Sequence, residues 1–178
     1  MFRIMRAALA GVAGVTALAG VATTAYAAPA DTSSFVRLRA EHSDKCLTIE
    51  NARISDGAYA VQQTCADDLD NQLFELRAAG GGTISVWAKH SGRCIGAGPN
   101  TNMDVEQMWC PDNSSQRWRV MLVEVAKGLY ELRPAGEGSF SDSCLTIPGV
   151  GRDDGVRASL LRCVGAPSQR WRMQPAAS

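Results

Sequence analysis

Three times along this chain the same landmarks recur in the same order: a cysteine, a second cysteine 16 to 19 residues on, then a glutamine two residues ahead of an aromatic ring. The first copy carries Cys46-Leu47-Thr48-Ile49, Cys65 and Gln72-Leu73-Phe74. The second carries Cys94-Ile95-Gly96-Ala97, Cys110 and Gln116-Arg117-Trp118, and the third Cys144-Leu145-Thr146-Ile147, Cys163 and Gln169-Arg170-Trp171. The first cysteines stand 48 and 50 residues apart, and the glutamine follows the second cysteine by seven, six and six positions. Self-similarity of this kind means one supersecondary unit used three times, because each unit buries its apolar face only against its neighbours.

The text between the landmarks agrees. A turn precedes each first cysteine: His42-Ser43-Asp44-Lys45, His90-Ser91-Gly92-Arg93 and Phe140-Ser141-Asp142-Ser143. Each copy opens with β-rich residues, Phe35-Val36-Arg37-Leu38-Arg39, Thr83-Ile84-Ser85-Val86-Trp87 and Leu129-Tyr130-Glu131-Leu132-Arg133, and closes with another short strand. Asp-Gly at 56–57 and 154–155 marks turns before the strand that carries the second cysteine. Beyond the N-terminal leader no stretch holds a 3.6-residue period for ten residues, so the expectation is an all-β fold. Propellers start at about four blades. Three units of about four strands each, some twelve short strands related by pseudo-threefold symmetry, predict a β-trefoil. Its closed barrel leaves few strand edges exposed.

Residues 1–27 read as a secretory signal: Arg3 and Arg6, an apolar stretch from Ala7 to about Ala22, and the small-residue exit Ala25-Tyr26-Ala27. Residues 28–34 form a linker and 174–178 a tail. No other run is long and apolar enough to span a bilayer, and the expectation is a secreted product. All six cysteines lie after the leader. An even count in an exported chain implies three disulfides, with fifteen possible pairings. The 18 basic and 18 acidic residues shift to a slight acidic excess once the leader's arginines are gone. With no basic run, a nucleic-acid or anionic-lipid partner has no electrostatic basis in the net charge.

Paired cysteines followed by Q-x-[WF] three times resemble the ricin B-type β-trefoil lectin domain, also grouped as carbohydrate-binding module family 13, over residues 35–173. The resemblance implies one disulfide per repeat, Cys46–Cys65, Cys94–Cys110 and Cys144–Cys163. Closing loops of that size contributes about 3 kcal/mol each in the chain-entropy account. It also implies that Phe74, Trp118 and Trp171 are core residues and that Gln72, Gln116 and Gln169 bond to nearby backbone.

The resemblance further implies a non-catalytic, sugar-binding function with no cofactor. In members that bind, an Asp two residues past the first cysteine takes sugar hydroxyls and an aromatic two residues before the second cysteine stacks on the ring. A Gln two before that aromatic and an Asn before the Q-x-W glutamine complete the pocket. Here the first copy has Thr48, Val61, Gln63 and Asn71; the second Gly96, Glu106, Met108 and Ser115; the third Thr146, Ser159, Leu161 and Ser168. The Asp and the aromatic are replaced in every copy. The first copy is the best candidate sugar site, through Thr48, Tyr59, Gln63, Asn71 and Gln72. Trp109 lies beside the stacking position, and strand alternation predicts that it turns to the buried face.

Residues that suggest catalysis read as structural. His42 and His90 occupy a turn position that accepts Phe140, and no C-x-x-C spacing suggests a metal site. Asp67, Asp68, Asp70, Asp153 and Asp154 read as solvated loops rather than an acid/base pair. Two functions remain: a free-standing module whose partner is a glycan or polysaccharide, and a trefoil that holds another secreted protein, as a toxin-assembly part, inhibitor or adaptor.

Overall fold

A computed structural model of the protein describes residues 34–98, 103–110, 114–136, 142–149 and 151–176. The leader, residues 28–33 of the linker and Phe140 lie outside the described residues. Twelve strands are described, four to each repeat. The first repeat holds β1 (Phe35–Ala40), β2 (Cys46–Ile49), β3 (Ala58–Gln63) and β4 (Phe74–Ala78). The second holds β5 (Ile84–Ala88), β6 (Cys94–Ala97), β7 (Val105–Met108) and β8 (Arg117–Glu124). The third holds β9 (Leu129–Pro134), β10 (Ser143–Thr146), β11 (Ser159–Arg162) and β12 (Trp171–Pro175).

The outer strands of the three repeats close on themselves. β1 pairs with β4, β4 with β5, β5 with β8, β8 with β9, β9 with β12, and β12 returns to β1. That last pairing runs from Val36↔Pro175 to Ala40↔Trp171, so Gln174 and Pro175, which the sequence assigns to a tail, belong to the barrel. The inner strands form three hairpins, β2–β3, β6–β7 and β10–β11. Each hairpin touches the next through Tyr59↔Glu106, Asp104↔Ser159 and Arg157↔Val61. Six barrel strands and a triplet of hairpins in threefold register make a β-trefoil.

Its core is built from the repeated apolar positions. Leu47, Ile95 and Leu145, each one past a first cysteine, are fully buried together with Phe74, Trp118 and Trp171. The two indoles satisfy their only polar atom identically: Trp118 Nε1 donates to Ile95 O and Trp171 Nε1 to Leu145 O, each at 3.0 Å. The disulfides join Cys46 to Cys65, Cys94 to Cys110 and Cys144 to Cys163. Short 3₁₀ turns, Asp70–Gln72, Ser114–Gln116 and Pro167–Gln169, end on the three Q-x-[WF] glutamines.

Those glutamines tie the turn to the disulfide. Gln72 Nε2 donates to Thr64 O and its Oε1 accepts from Ala66 N, both at 2.9 Å, bracketing Cys65. Gln169 brackets Cys163 in the same way, through Arg162 O and Val164 N at 2.8 Å. Gln116 donates to Trp109 O at 2.6 Å, but its Oε1 has no partner among the described residues. The residue past Cys110 is Pro111, and proline carries no N–H to offer.

Candidate functional site

The sequence-derived sugar contacts of the first repeat separate into two groups. Thr48, on β2, is fully buried and its hydroxyl bonds to Cys46 O of its own strand at 3.1 Å. Asn71 and Gln72 are buried in the 3₁₀ turn; Asn71 Nδ2 donates to Ile49 O at 2.8 Å, and Gln72 is engaged at the disulfide. Of the three, Asn71 joins the β2 end to the β4 entry. Tyr59 and Gln63, from β3, are half-buried. Tyr59 has its ring covered, with the Arg157 guanidinium carbon 3.6 Å from the ring centroid.

Tyr59, Asp104 and Arg157 each lie six residues before a second cysteine, so the pseudo-threefold axis brings equivalent positions together. Arg157 reaches Asp104 at 3.8 Å and Ser159 Oγ lies 3.3 Å from Asp104 Oδ1. Beside them Glu106, at the position that resemblance assigns to a sugar-binding glutamine, is 4% exposed. Burial first, and the neighbouring Asp104 second, push its carboxyl above the usual carboxylate range, while Arg157 opposes them. This ring of side chains neutralises itself and leaves little that faces a ligand.

The seams between repeats are built differently, and here sequence reading finds only part of the arrangement. In the first Asp-Gly turn, Asp56 bonds to the Arg93 guanidinium, and its Oδ1 accepts from Trp109 N at 2.7 Å. The second Asp-Gly turn repeats this where the third repeat meets the first: Asp154 Oδ1 accepts from Lys45 Nζ at 2.6 Å and from Thr64 N at 2.8 Å. Lys45 and Arg93 each precede a first cysteine; Thr64 and Trp109 each precede a second. The Lys45 bond, aided by Thr64, holds the Asp154 carboxyl below its ordinary range.

Two further groups complete each seam. Gln107 Nε2 donates to Arg53 O at 2.6 Å and Ser55 O at 2.8 Å, and Gln62 Nε2 donates to Gly151 O at 3.1 Å and Asp153 O at 2.8 Å. His90 Nε2 meets Arg53 O at 3.0 Å and His42 Nε2 meets Gly151 O at 3.3 Å. Both histidines thus hold the preceding repeat's loop. Burial lowers the His42 pKa below its ordinary value despite that bond. Of the other acids, Asp70 pairs with Lys89 at 2.8 Å and Asp67 with the buried Arg37 at 3.2 Å. Glu131 lies 3.5 Å from Cys144, but both sulfurs there are in a disulfide and offer no thiolate to a metal.

Trp109 departs from expectation. Strand alternation predicts burial, yet the side chain is 69% exposed. The reason is local: β7 ends at Met108, so the pleat no longer sets the direction of the next side chain. Tyr59 and Trp87 each carry a guanidinium over the ring, from Arg157 at 3.6 Å and from Arg77 at 4.0 Å. No cation lies over the Trp109 ring among the described residues. A separate pocket of about 300 Å³ opens where the third repeat meets the first, lined by His42, Gly149, Arg152, Ala166, Pro167 and Ser168. Ser168 is the third-copy counterpart of Asn71.

Comparison with known proteins agrees with this architecture. A family model described as the ricin-type beta-trefoil lectin domain matches residues 34–171. The chain is similar to a designed threefold-symmetric protein, ThreeFoil, at 28% identity and a TM-score of 0.71, covering 79% of this chain and 98% of that one. It is also similar to the C-terminal half of an earthworm R-type lectin solved with GalNAc, at 19% identity and a TM-score of 0.61, over 79% of this chain and 98% of that one. A third likeness is to the cytolethal distending toxin of Actinobacillus actinomycetemcomitans, at 18% identity and a TM-score of 0.66, over 84% of this chain and 96% of that one. No curated protein matches the chain. The family match spans most of the chain and carries a carbohydrate-binding type of module with it. By its fold, its three-copy motif and that match, the chain belongs to the family of ricin-type β-trefoil lectin domains.

Proposed function

We propose that the protein is a secreted, non-catalytic carbohydrate-binding module whose sugar contact is the Trp109–Asp56–Arg93 seam. The observation that carries this reading is the open indole of Trp109, fixed through its backbone N–H by the Asp56 carboxylate. A pyranose presents an apolar face to an aromatic ring and hydroxyls to nearby charged groups, and a carboxylate beside an indole supplies both. Asp56 keeps its second oxygen for sugar hydroxyls, and Arg93 adds donors beside it. Secretion is supported by three disulfides, which persist in oxidising compartments. Among the described residues no helix is long and apolar enough to cross a membrane.

Titration of the oxidised protein with galactose, xylo-, arabino- and chito-oligosaccharides, followed by indole fluorescence, tests the reading, with a glycan array to widen the search. The expected result is saturable binding that Trp109→Ala abolishes without changing the melting temperature. Absence of binding at millimolar sugar overturns the class. Binding that survives Trp109→Ala places the sugar elsewhere and overturns the site alone.

The competing reading, a trefoil that holds another secreted protein, is favoured by one observation. The positions that resemblance assigns to the sugar-gripping Asp carry Thr48, Gly96 and Thr146, and both threonines bond to their own strands. Recovery of a single stoichiometric partner from culture supernatant, together with silence on the glycan array, decides for it.

A further inference from the structure

The pocket between the third repeat and the first differs in chemistry from the equivalent place between the first and the second. Gly149, five residues past Cys144, stands where the first repeat has Asn51 five past Cys46. Arg152, two residues before the Asp154-Gly155 turn, stands where the first repeat has Ile54, and Pro167, two before Gln169, where it has Asp70. An aliphatic side chain and an acid in one repeat thus become a guanidinium and an apolar ring in another. The third-repeat pocket has no carboxylate on its wall. Nor is it built from the positions that resemblance assigns to sugar. Of Thr146, Ser159, Leu161 and Ser168 only Ser168 lines it, while Thr146 and Ser159 are buried and bonded to Cys144 O and Asp104. His42 of the first repeat closes the pocket instead.

Charge and shape decide what fits. Among the described residues Arg152 makes no ion pair, and the neighbouring Asp154 is taken by Lys45 at 2.6 Å. Arg152 is also the one charged group among them that acts on His42. Burial, the largest effect, and then that guanidinium outweigh the Gly151 bond and hold the imidazole pKa below its ordinary value. The ring is therefore neutral near pH 7, and the pocket presents a single positive charge. A phosphate ester carries about −1.5 to −2 at that pH, which one cation does not balance. A carboxylate carries one charge, and its two coplanar oxygens match a guanidinium fork. Ala166 and Pro167 supply an apolar wall and Ser168 a hydroxyl. A volume of about 300 Å³ is at the lower end of small-molecule sites and suits one ring rather than a chain.

We propose that this pocket binds a terminal uronic acid, the carboxylate-bearing sugar of an acidic glycan. The carboxylate lies in the Arg152 fork, the pyranose rests on Pro167 and Ala166, and Ser168 meets a hydroxyl. The assignment rests on the reading of the protein as a carbohydrate-binding module. It adds a second, charged specificity to the Trp109 contact, with which it shares no residue.

Calorimetric titration of the oxidised protein with galacturonate and glucuronate oligosaccharides, paired with NMR of the His42 ring, tests the proposal. The methyl esters of the same sugars are the control. At least one acid should bind saturably and move the His42 resonances, and its ester should bind at least about tenfold more weakly, that being the loss of one charge-assisted hydrogen bond. Arg152→Gln should weaken the acid by a similar factor. Arg152 is exposed, so the melting temperature should not move. The proposal is overturned if neither acid binds at millimolar concentration, if the ester binds as well as the acid, or if Arg152→Gln changes nothing. A sulfated galactose that binds as tightly overturns it too, reducing the site to an unselective anion pocket. Trp109→Ala should leave uronate binding intact; its loss in that variant places the acid on the indole and overturns this site. Uronate binding that depends on Arg152, with neutral sugars silent, sinks the Trp109 contact and leaves this one standing.

Discussion

Gln107→Leu tests whether the repeats are held by a polar clamp rather than by the apolar core alone. Gln107 is fully buried and satisfies three groups: its Nε2 serves Arg53 O and Ser55 O, and its Oε1 accepts from Ser91 Oγ at 2.8 Å. Leucine fills a similar volume and matches Leu160, which holds the same position in the third repeat, so no large cavity confuses the result. Each hydrogen bond contributes about 0.5–1.5 kcal/mol net, and a buried group left unpaired costs about 1–3. Arg53 O keeps a second donor in His90, so the loss there is small. Ser55 O and Ser91 Oγ carry most of the cost, for a total near 2–3 kcal/mol. In a domain of this size that lowers the melting temperature by roughly 4–12 °C. Urea unfolding of the oxidised protein, followed by fluorescence, should show a lower midpoint at unchanged slope. His90→Ala added to Gln107→Leu should cost more than the sum of the two, because only the double variant strips Arg53 O of both donors. A Gln107→Leu change below about 0.5 kcal/mol, the range of ordinary surface substitutions, would refute the clamp.

Two pH-linked predictions follow from the charged positions. Burial and Asp104 raise the pKa of Glu106, so the folded protein holds that proton more tightly than the unfolded chain. Stability therefore declines as pH climbs from the ordinary carboxylate range towards the raised value; Glu106→Gln should remove that decline and melt no lower than wild type at pH 7, and an unchanged pH slope would count against it. Asp154 is shifted the other way by Lys45, so its contribution is present above the ordinary aspartate pKa and is lost as pH falls through the depressed one. The group is solvent-exposed, and Asp154→Asn should cost no more than about 1 kcal/mol at neutral pH and nothing in strong acid, read from melting curves across the acid range.

The trefoil was legible because its determinants are local in sequence and repeated. The disulfide set follows from the resemblance that the three-copy motif carries, and a glutamine two residues before an aromatic recurs where the chain must turn back into the barrel. The same periodicity gives His42 and His90 a shared turn position, although it does not reveal that each meets a carbonyl of the preceding repeat. The clamp had a signal in Gln62 and Gln107, each three residues before a second cysteine, but only the partner loop's position in space gives that spacing a meaning. Thr48, Asn71 and Gln72 show the limit from the other side. Alignment gives the slot, whereas the hydrogen bond that consumes Asn71 runs to Ile49 O, 22 residues away.

The seam explains why one slot is free to carry function. The residue before each second cysteine has its backbone held by its neighbours: an Asp of the preceding repeat binds the N–H of Thr64 and of Trp109, and the Q-x-[WF] glutamine binds the carbonyl of Thr64, Trp109 and Arg162. The side chain at this place is exposed in all three repeats, and three unlike residues occupy it. A threonine or an arginine there is at ease in water. Tryptophan is not, since leaving most of an indole exposed forgoes about 1.5–3 kcal/mol of burial that any core position would supply. Among the described residues no bond recovers that cost, because those at Trp109 use only its backbone. A ligand that covers the ring does recover it, and the carboxylate already bonded to the same residue supplies the polar half of such a contact.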